Sequence, residues 1–206
     1  MTDNYNRLLE LIHKNSFKYS EEPVFTLVSG QKSQYYFNCK ATTLDSEGLV
    51  LVGNVFFERI EDFQVDAIGG LTMGADPIAI ATSLISFQKG RAIKAFCIRK
   101  EPKKHGLKLW IEGNLDENDN VIIIEDVITT GGSAIKAIQR AQEANANVVS
   151  AIALIDREEG GKEAIEKLGI HVESLFTKSD IMAFHRAAEG PQPNRATAQN
   201  GHQKLC

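Results

Sequence analysis

Two adjacent carboxylates followed by hydroxyl and glycine residues mark the run VIIIEDVITTGGS at Val121–Ser133. Glu125 and Asp126 can accept hydrogen bonds from the vicinal hydroxyls of a sugar, or they can hold a hydrated Mg²⁺. The residues beyond them that offer hydroxyl donors or close approach of backbone N–H groups are Thr129, Thr130, Gly131, Gly132 and Ser133. Together, the acids and this cradle suit a ribose 5-phosphate.

The elements around this run would place both halves of it at one edge of a sheet. The aliphatic residues Val121–Ile124 predict a buried strand, and Ser133–Ala144 has the periodicity of a helix. In open α/β sheets, ligands bind beyond the carboxyl ends of the strands, and a helix N-terminus adds unpaired N–H donors. The alternative is purely structural, with an acidic strand end, a glycine turn and a helix cap. Neither a Walker A sequence nor a G-x-G-x-x-G fingerprint is present.

The rest of the chain alternates short apolar segments with segments of helical periodicity. Strands are expected at Val65–Gly69, Ile93–Ile98, Val121–Ile124, Val148–Ile155 and His171–Phe176. Helices are expected at Tyr5–His13, Ser46–Ile60 with Ser46 as N-cap, Pro77–Phe87, Ser133–Ala144 and Glu163–Leu168. This alternation predicts an α/β fold with a central, mostly parallel sheet flanked by helices.

Three segments lie outside this alternation. Phe25–Val28 and Tyr35–Cys39 are aromatic and β-branched, which predicts a hairpin or two short strands around a turn. Arg99–Asn114 is polar and is expected to be irregular. From about Ala187 the apolar content falls, so residues 186–206 are expected to form a disordered tail after a single domain at 1–185.

Composition narrows the classes of function. With a net charge of −4 over 206 residues, the chain lacks the net basic face that bulk nucleic-acid binding needs. Cys39, Cys97 and Cys206 lie far apart, which argues against a disulfide framework or a zinc site and fits a reducing compartment. The N-terminal residues lack the apolar core of a signal peptide, and no apolar run approaches the ~18–20 residues needed to span a membrane. We therefore expect a cytoplasmic protein that recognises phosphate through a local site.

One strongly basic segment, Arg99–Lys108 (RKEPKKHGLK), carries five Lys or Arg residues and one His against one acid. Such a segment suits an anionic ligand that must be enclosed and later released. The alternative is an ordinary solvated charged loop. Because the segment follows the predicted strand Ile93–Ile98, it would lie in the same sheet as the phosphate cradle.

The run Val121–Ser133 resembles the 5-phosphoribosyl 1-diphosphate (PRPP) motif of the type I phosphoribosyltransferases. The R-K-E-x-K-x-H-G pattern at Arg99 resembles the mobile catalytic loop of the orotate phosphoribosyltransferases within that group. Three further runs resemble motifs of the same family: FTLVSGQKSQYYF from Phe25, GLTMGADP from Gly70 and DREEGG from Asp156. The resemblance implies the type I phosphoribosyltransferase fold, with a small N-terminal hood formed mainly by residues 1–45.

The resemblance also implies roles for individual residues. PRPP would be bound by Arg99, Lys100, Lys103, His105, Glu125, Asp126, Val127, Ile128, Thr129, Thr130, Gly131, Gly132 and Ser133. The residues implied to be catalytic are Lys100, Lys103, His105 and Asp126. Orotate would be contacted by Tyr36, Phe37, Thr129 and Arg157.

Two of these assignments have structural alternatives. Tyr36 and Phe37 would cover the orotate ring, or they are simply strand residues on opposite faces with at least one of them in the core. Arg157 would pair with the orotate carboxylate, which a guanidinium fork matches bidentately, or it forms an ion pair with Glu158 or Glu159. The chain also departs from some relatives, with Val28 and Met73-Gly74 where those relatives have a Lys and a Tyr-Lys pair.

The implied reaction joins orotate and PRPP to give orotidine 5-monophosphate and diphosphate in the synthesis of UMP. It would use Mg²⁺ held by PRPP and water, without a direct protein ligand. The protein would be a homodimer in which the loop 99–113 acts in the neighbouring subunit. Two other functions remain open: a type I transferase for another base, and a non-catalytic PRPP-binding regulator.

Overall fold

The computed structural model describes residues 3–26, 30, 32–102 and 110–189. The helices are α1 Asp3–Asn15, α2 Lys40–Thr43, α3 Ser46–Ile60, α4 Ala75–Gln88, α5 Gly132–Glu143, α6 Gly161–Glu166 and α7 Lys178–Glu189. The strands are β1 Phe17–Tyr19, β2 Phe25–Thr26, β3 Lys32–Ser33, β4 Tyr35–Phe37, β5 Ala67–Leu71, β6 Lys94–Ile98, β7 Ile111–Gly113, β8 Asn120–Ile128, β9 Asn147–Asp156 and β10 Val172–Thr177.

A six-stranded sheet in the order β10-β9-β8-β5-β6-β7 forms the centre of the fold. Its strands are parallel except for β7, which runs antiparallel to β6. The predicted α/β class with a mostly parallel sheet is therefore confirmed. From β5 the chain crosses to β6 on one side, whereas from β8 it moves to β9 on the other. The strand order thus reverses between β5 and β8. In open α/β sheets, such a reversal leaves a crevice outside the carboxyl ends of the strands, and ligands bind there.

Helices cover both faces of the sheet, as the apolar strands predict. Successive side chains of a strand point to opposite faces of the sheet. Alternate residues of β8 therefore lie in the two separate hydrophobic cores, one on each face. Ile122 and Ile124 pack with residues of α1, α3 and α7, whereas Val121 and Ile123 pack with residues of α5 and α6. All four side chains are fully buried, so β8 is fixed from both sides up to the point where its acids begin.

The N-terminal strands pair differently from a simple hairpin. Phe25–Thr26 pairs with β3, and Tyr35–Phe37 pairs with β1, which the sequence did not predict as a strand. Of the two expected arrangements, separate short strands are therefore the one observed. Val28 lies outside the described residues.

Several element ends differ from those expected, and each difference has a local cause. Helix α3 begins at Ser46, but its N-cap is Asp45, whose carboxylate accepts hydrogen bonds from the N–H groups of Glu47 at 3.0 Å and Gly48 at 3.1 Å. Expecting Ser46 as the cap was therefore wrong. The segment that we expected to be irregular contains the short strand β7. This strand forms because three residues are enough to pair with β6.

The C-terminal part also holds an element that the sequence analysis missed. Helix α7 runs to Glu189, so the first residues of the segment interpreted as a tail are helical. Ile181 and Met182 of this helix are buried, which ties it to the body of the fold. Residues 190–206 lie outside the described part of the chain. None of the described helices is long and apolar enough to cross a bilayer.

Candidate active site

The two acids lie inside β8 rather than beyond its end, since the strand continues to Ile128. Glu125 is 7 % exposed, whereas the neighbouring Asp126, on the opposite face, is half-buried. The strand keeps its hydrogen bonds through this stretch because Glu125 pairs with Ala153 and Ile128 with Asp156 of β9. The acids are therefore held on a rigid element at the crevice between β5 and β8.

The glycine turn that follows β8 leads directly into α5, as the sequence predicts. Gly131 caps the helix with a φ of +83°, a conformation that favours glycine. A Cβ atom there would also come within 2.8 Å of the Gly161 carbonyl oxygen. Thr130, Gly132 and Ser133 are exposed, so this turn presents hydroxyl and N–H donors at a helix N-terminus, which suits an anion.

The apolar members of the predicted PRPP segment can contribute only through their backbones. The side chain of Ile128 is 1 % exposed and belongs to the core under α5. Val127 packs partly against the opposite core. The Ile128 carbonyl accepts a hydrogen bond from the Arg157 N–H at 2.9 Å, so it also fixes the start of the neighbouring turn.

The environment of Glu125 favours its neutral form. Burial, and after it the negative charge of Asp126, raise the pKa of this carboxyl to about 9, although the positive charge of Lys100 acts in the opposite direction. Its Oε2 atom has no hydrogen-bond partner within the described structure. Buried polar atoms in native proteins nearly always have a partner, so this oxygen is placed for a ligand.

Replacing Glu125 with Gln should stabilise the chain at alkaline pH. The pKa of Glu125 is higher in the folded chain than the ordinary 4.5, so the folded state keeps a proton that the unfolded state loses above that pH. The contribution of Glu125 to the free energy of unfolding is therefore lost as pH rises from about 4.5 to about 9. At pH 8, Glu125→Gln should be more stable by on the order of 5 kcal/mol, because each pH unit above 4.5 costs the parent about 1.4 kcal/mol, and below pH 4 it should match the parent. Urea unfolding across this range measures the effect.

The matched control for this change is Glu117→Gln, which removes an exposed carboxyl from the turn before β8. That variant should keep the pH dependence of the parent chain. If Glu125→Gln also kept the parent's slope between pH 5 and pH 9, Glu125 would not be the group that titrates.

The turn after β5 lies against the acids. A side chain at Gly74 would collide with the Asp126 carboxylate, so only glycine allows the turn to approach so closely. The Thr72 N–H donates to the Ile98 carbonyl at 2.8 Å, and the Thr72 hydroxyl donates to Asp76. The other carboxylate oxygen of Asp76 is buried and has no hydrogen-bond partner among the residues that the structure describes. From the sequence, this turn was expected to offer only the backbone N–H groups of Leu71–Gly74. The side chains of Thr72 and Asp76 were not predicted, although their position directly after a strand could have indicated them.

The first three residues of the basic segment line a cleft next to this turn. The cleft has a volume of about 370 Å³ and is lined by Thr72, Cys97, Arg99, Lys100, Glu101 and Glu112. Arg99 is held by an ion pair with Glu112 at 3.3 Å, whereas Lys100 is exposed and close enough to Glu125 to affect its pKa. Lys103 and His105 lie outside the described residues, so their predicted roles remain predictions.

The two aromatic residues predicted to cover a base lie on opposite faces of β4. Phe37 packs against Phe17 with ring centroids 5.3 Å apart and lies 6.0 Å from the Arg157 guanidinium. Tyr36 is exposed and stacks on Phe25 at 5.9 Å. The structure therefore brings Phe37, but not Tyr36, next to Arg157. Phe37 also packs partly on the core, which is the arrangement that the structural alternative describes.

Arg157 is buried at the end of β9, with 8 % of its surface exposed. Its Nη2 atom lies 2.8 Å from Glu159 Oε1, so one of the two expected ion pairs is present. This contact lacks hydrogen-bond geometry, and both Nε and Nη2 are without a hydrogen-bond partner among the described residues. A buried guanidinium with unsatisfied donors can accept a carboxylate ligand in the fork geometry that suits Arg.

Polar atoms without partners among the described residues thus occur near the carboxyl ends of three neighbouring parallel strands, at the same edge of the sheet. They belong to Asp76 after β5, Glu125 in β8 and Arg157 after β9. The acids suit the hydroxyls of a sugar, the turn before α5 suits a phosphate, and Arg157 suits a second, carboxylate-bearing ligand. This combination is the one expected for a phosphoribosyl donor and an anionic acceptor.

Comparison with known proteins identifies relatives along nearly the whole described chain. The orotate phosphoribosyltransferase of Aquifex aeolicus is 48 % identical over 176 residues, which cover 85 % of this chain and 96 % of the relative. That of Rhodopseudomonas palustris strain BisB5 is 45 % identical over 181 residues, covering 85 % and 95 %. No protein-family model matches the chain.

Solved structures lead to the same family. The Mycobacterium tuberculosis orotate phosphoribosyltransferase in complex with PRPP superposes with a TM-score of 0.72 at 32 % identity, covering 87 % of this chain and 99 % of that one. These relatives favour the orotate enzyme over a transferase for another base and over a non-catalytic regulator. The chain belongs to the orotate phosphoribosyltransferase family.

Proposed function

We propose that this site transfers the ribose 5-phosphate group of PRPP to orotate, giving orotidine 5-monophosphate and diphosphate for UMP synthesis. The C1–O bond to the diphosphate breaks and the diphosphate leaves with the bonding electron pair. A bond from C1 to a ring nitrogen of orotate forms, and that nitrogen gives up its proton, which the diphosphate can take. The observation that carries the proposal is a pair of buried groups with atoms that lack hydrogen-bond partners among the described residues, namely Glu125 Oε2 beside the glycine turn and the Arg157 donors at the end of the adjacent strand. The chain has the chemistry for both substrates at one edge of its sheet.

The ribose 5-phosphate would be held by β8 and the turn after it. Glu125 and Asp126 accept hydrogen bonds from the 2- and 3-hydroxyls, and the segment Thr129–Ser133 receives the phosphate through N–H and hydroxyl donors. Because β8 is packed on both faces, the ribose is fixed while its C1 atom reacts. Such positioning can account for a large part of a transferase's rate enhancement.

The diphosphate would lie between the turn after β5 and the basic segment. Backbone N–H groups of Leu71–Gly74, other than that of Thr72, which already donates to Ile98, would take the place of the Lys that some relatives carry in that turn. Lys100 stabilises the charge of the leaving diphosphate from the cleft, and Lys103 and His105 are proposed to add donors. Arg99 is tied to Glu112, so we assign it a weaker contact with the diphosphate.

Orotate would lie between the ends of β4 and β9. Arg157 would bind its carboxylate, Phe37 would pack on the ring, and Thr129 would bound the base from the ribose side. Tyr36 would join this set only by turning from its present contact with Phe25, so we rank it below Phe37.

Mg²⁺ would reach the site together with PRPP. In the described ranges, no group of three or more His, Cys, Asp or Glu side chains is arranged to hold a metal ion. The oxygen ligands available are the carboxylates of Glu125 and Asp126, which suit a hydrated Mg²⁺. When bound, Mg²⁺ would neutralise part of the diphosphate charge. The protein's own contribution would be to orient PRPP through these carboxylates.

Assays of the full chain with orotate and PRPP test this function directly. Absorbance of orotate should fall in the presence of both substrates and Mg²⁺ and should stay constant when a chelator removes the metal. Uracil, adenine and hypoxanthine in place of orotate serve as controls for the base. Turnover with one of these bases but not with orotate would overturn the proposal.

We further propose that the reaction takes place in the cytoplasm.

We also propose a homodimer. Large apolar side chains are exposed along one stripe of α4, namely Ile80, Leu84 and Phe87, and Met73 is exposed in the turn that precedes the helix. A surface of this kind indicates a protein contact, and it is continuous with the site through that turn. The proposed occupant is a second copy of the chain, whose basic loop completes the site. Since Lys100 acts on Glu125 of its own chain, we assign the exchange to residues beyond it.

Mixing two defective variants tests this exchange. Lys103→Ala and Arg157→Ala chains should each be nearly inactive at low orotate concentration. After dissociation and reassociation together, roughly a quarter of the parental turnover should return, because each mixed dimer of two-fold symmetry contains one intact site. Separately treated variants are the control. Absence of any recovery in dimers shown to be mixed would place the loop in its own subunit.

A further inference from the structure

Helix α5 contacts the loop 99–113 at two described ends, at Lys100 near its start and at Trp110 near its end. The Lys136 ammonium donates a hydrogen bond to the Lys100 carbonyl at 3.1 Å. The Arg140 guanidinium carbon lies 3.7 Å from the centroid of the Trp110 ring, and the Lys136 Nζ atom lies 5.8 Å from it. The two ends are also joined to each other, since the Arg99 N–H donates to the Trp110 carbonyl at 2.8 Å.

The spacing of the two cations explains this double contact. Lys136 and Arg140 are four residues apart, so they lie on one face of α5. The Arg140 guanidinium is further oriented by an ion pair with Glu143 at 2.5 Å. A guanidinium at this distance over an indole face makes a favourable cation–π contact. The phosphate cradle lies at the N-terminus of the same helix.

We propose that Lys136, Arg140 and Trp110 are positioning residues for the transfer reaction. They hold the start of the basic segment in place so that Lys100 faces Glu125 and the turn after β5, where the diphosphate is proposed to bind. Helix α5 then positions two parts of PRPP at once. Its N-terminus receives the 5-phosphate, and its side chains fix Lys100, the cation that faces the diphosphate. The inference rests on the proposed function, which supplies the role of Lys100.

A purely structural role for these contacts would give a different kinetic pattern. If they only stabilised the fold, their loss would lower the melting temperature and affect both substrates alike. If they position Lys100, their loss weakens the interaction with PRPP and leaves the affinity for orotate nearly unchanged. The fold should tolerate the loss, since Arg140 lies at the surface with its side chain 24 % exposed.

Steady-state kinetics of Arg140→Ala test this split. We expect kcat/KM for PRPP to fall about 10-fold, as the loss of a cation–π contact that is specific to the productive arrangement would give. The KM for orotate should change less than about 2-fold on the same reasoning. Arg140→Lys, which keeps a cation over the ring, should restore most of the activity. Arg7→Ala, which removes an exposed Arg paired with Glu10 and Glu47, is the control.

The fluorescence of Trp110 gives an independent measurement, because it is the only Trp in the chain. Adding PRPP should change its emission in the parent chain and in Arg140→Lys, and should change it less in Arg140→Ala. Parental kinetics in Arg140→Ala would overturn the proposal, as would an equal rise in KM for both substrates. If Arg140→Ala did not fold, Arg140→Met would be measured in its place. Failure of the proposed function itself is distinguishable, because the parent chain would then show no turnover at all.

Discussion

Replacing Lys100 with alanine should lower kcat for orotate phosphoribosylation by about 10²–10³-fold, the usual cost of removing one donor that stabilises developing charge. The diphosphate gains negative charge as it leaves, and Lys100 is the described cation that lines the cleft beside Thr72 and acts on Glu125. Its side chain is exposed, so the fold should not depend on it. Steady-state kinetics, with circular dichroism to confirm folding, would measure both.

Three companion variants sharpen this experiment. Lys100→Arg keeps the charge and should retain more activity than Lys100→Ala. Lys162→Ala removes a Lys from α6, where it pairs with Glu166 at 3.9 Å, and should leave kcat unchanged. Lys103→Ala should also lower kcat by orders of magnitude if the wider segment takes part. Unchanged kinetics in both Lys100→Ala and Lys103→Ala would remove the basic segment from the mechanism.

Residue spacing was enough to predict most of the sheet. The alternation of apolar and helical segments gave the parallel strands, because both faces of such a sheet must be covered and each strand is therefore apolar throughout. For β8, the predicted position of the C-terminal end was wrong. Glu125 was expected to follow the strand, yet β8 continues to Ile128 because the backbone keeps its pairing with β9 whatever the side chain.

The hood was harder to predict because its pairing is not local. Phe17–Tyr19 pairs with Tyr35–Phe37 across an intervening pair of strands, and β3 is only the two polar residues Lys32–Ser33. Strands this short carry no periodic signal. Such pairings depend on cross-strand packing, here the contact of Phe17 with Phe37, which a sequence pattern cannot reveal.

For the site, the sequence predicted residue types but not which of them lack partners. Arg157 was expected either to bind a ligand or to form an ion pair, and the structure shows that the ion pair leaves donors unused. The collision that any side chain at Gly74 would have with Asp126 is likewise a property of two strands brought together. Trp110 had no predicted role at all, because its contact with Arg140 forms only when α5 packs beside the sheet.

Replacing Arg157 should separate the two substrates. Arg157→Ala should raise the KM for orotate about 10²-fold, which corresponds to the roughly 2–3 kcal/mol of a charged hydrogen-bonded contact. The KM for PRPP should change little, because the glycine turn and the β8 acids lie on other elements. Arg157→Lys should recover little of the loss, since an ammonium cannot offer the fork of donors that a carboxylate matches. Initial rates with each substrate varied in turn would measure the split.

Glu159 provides the matched control for this prediction, because it is the present ion-pair partner of Arg157 at 2.8 Å. If Glu159 only occupies the guanidinium until orotate binds, Glu159→Gln should leave the KM for orotate unchanged or lower it. The Glu159 carboxylate would then no longer compete with the orotate carboxylate for Arg157. If the pair instead holds Arg157 in place, Glu159→Gln should raise the KM for orotate as Arg157→Ala does. An equal effect of Arg157→Ala on both substrates would contradict its assignment to orotate, because only a general disturbance of the crevice would reach the PRPP side.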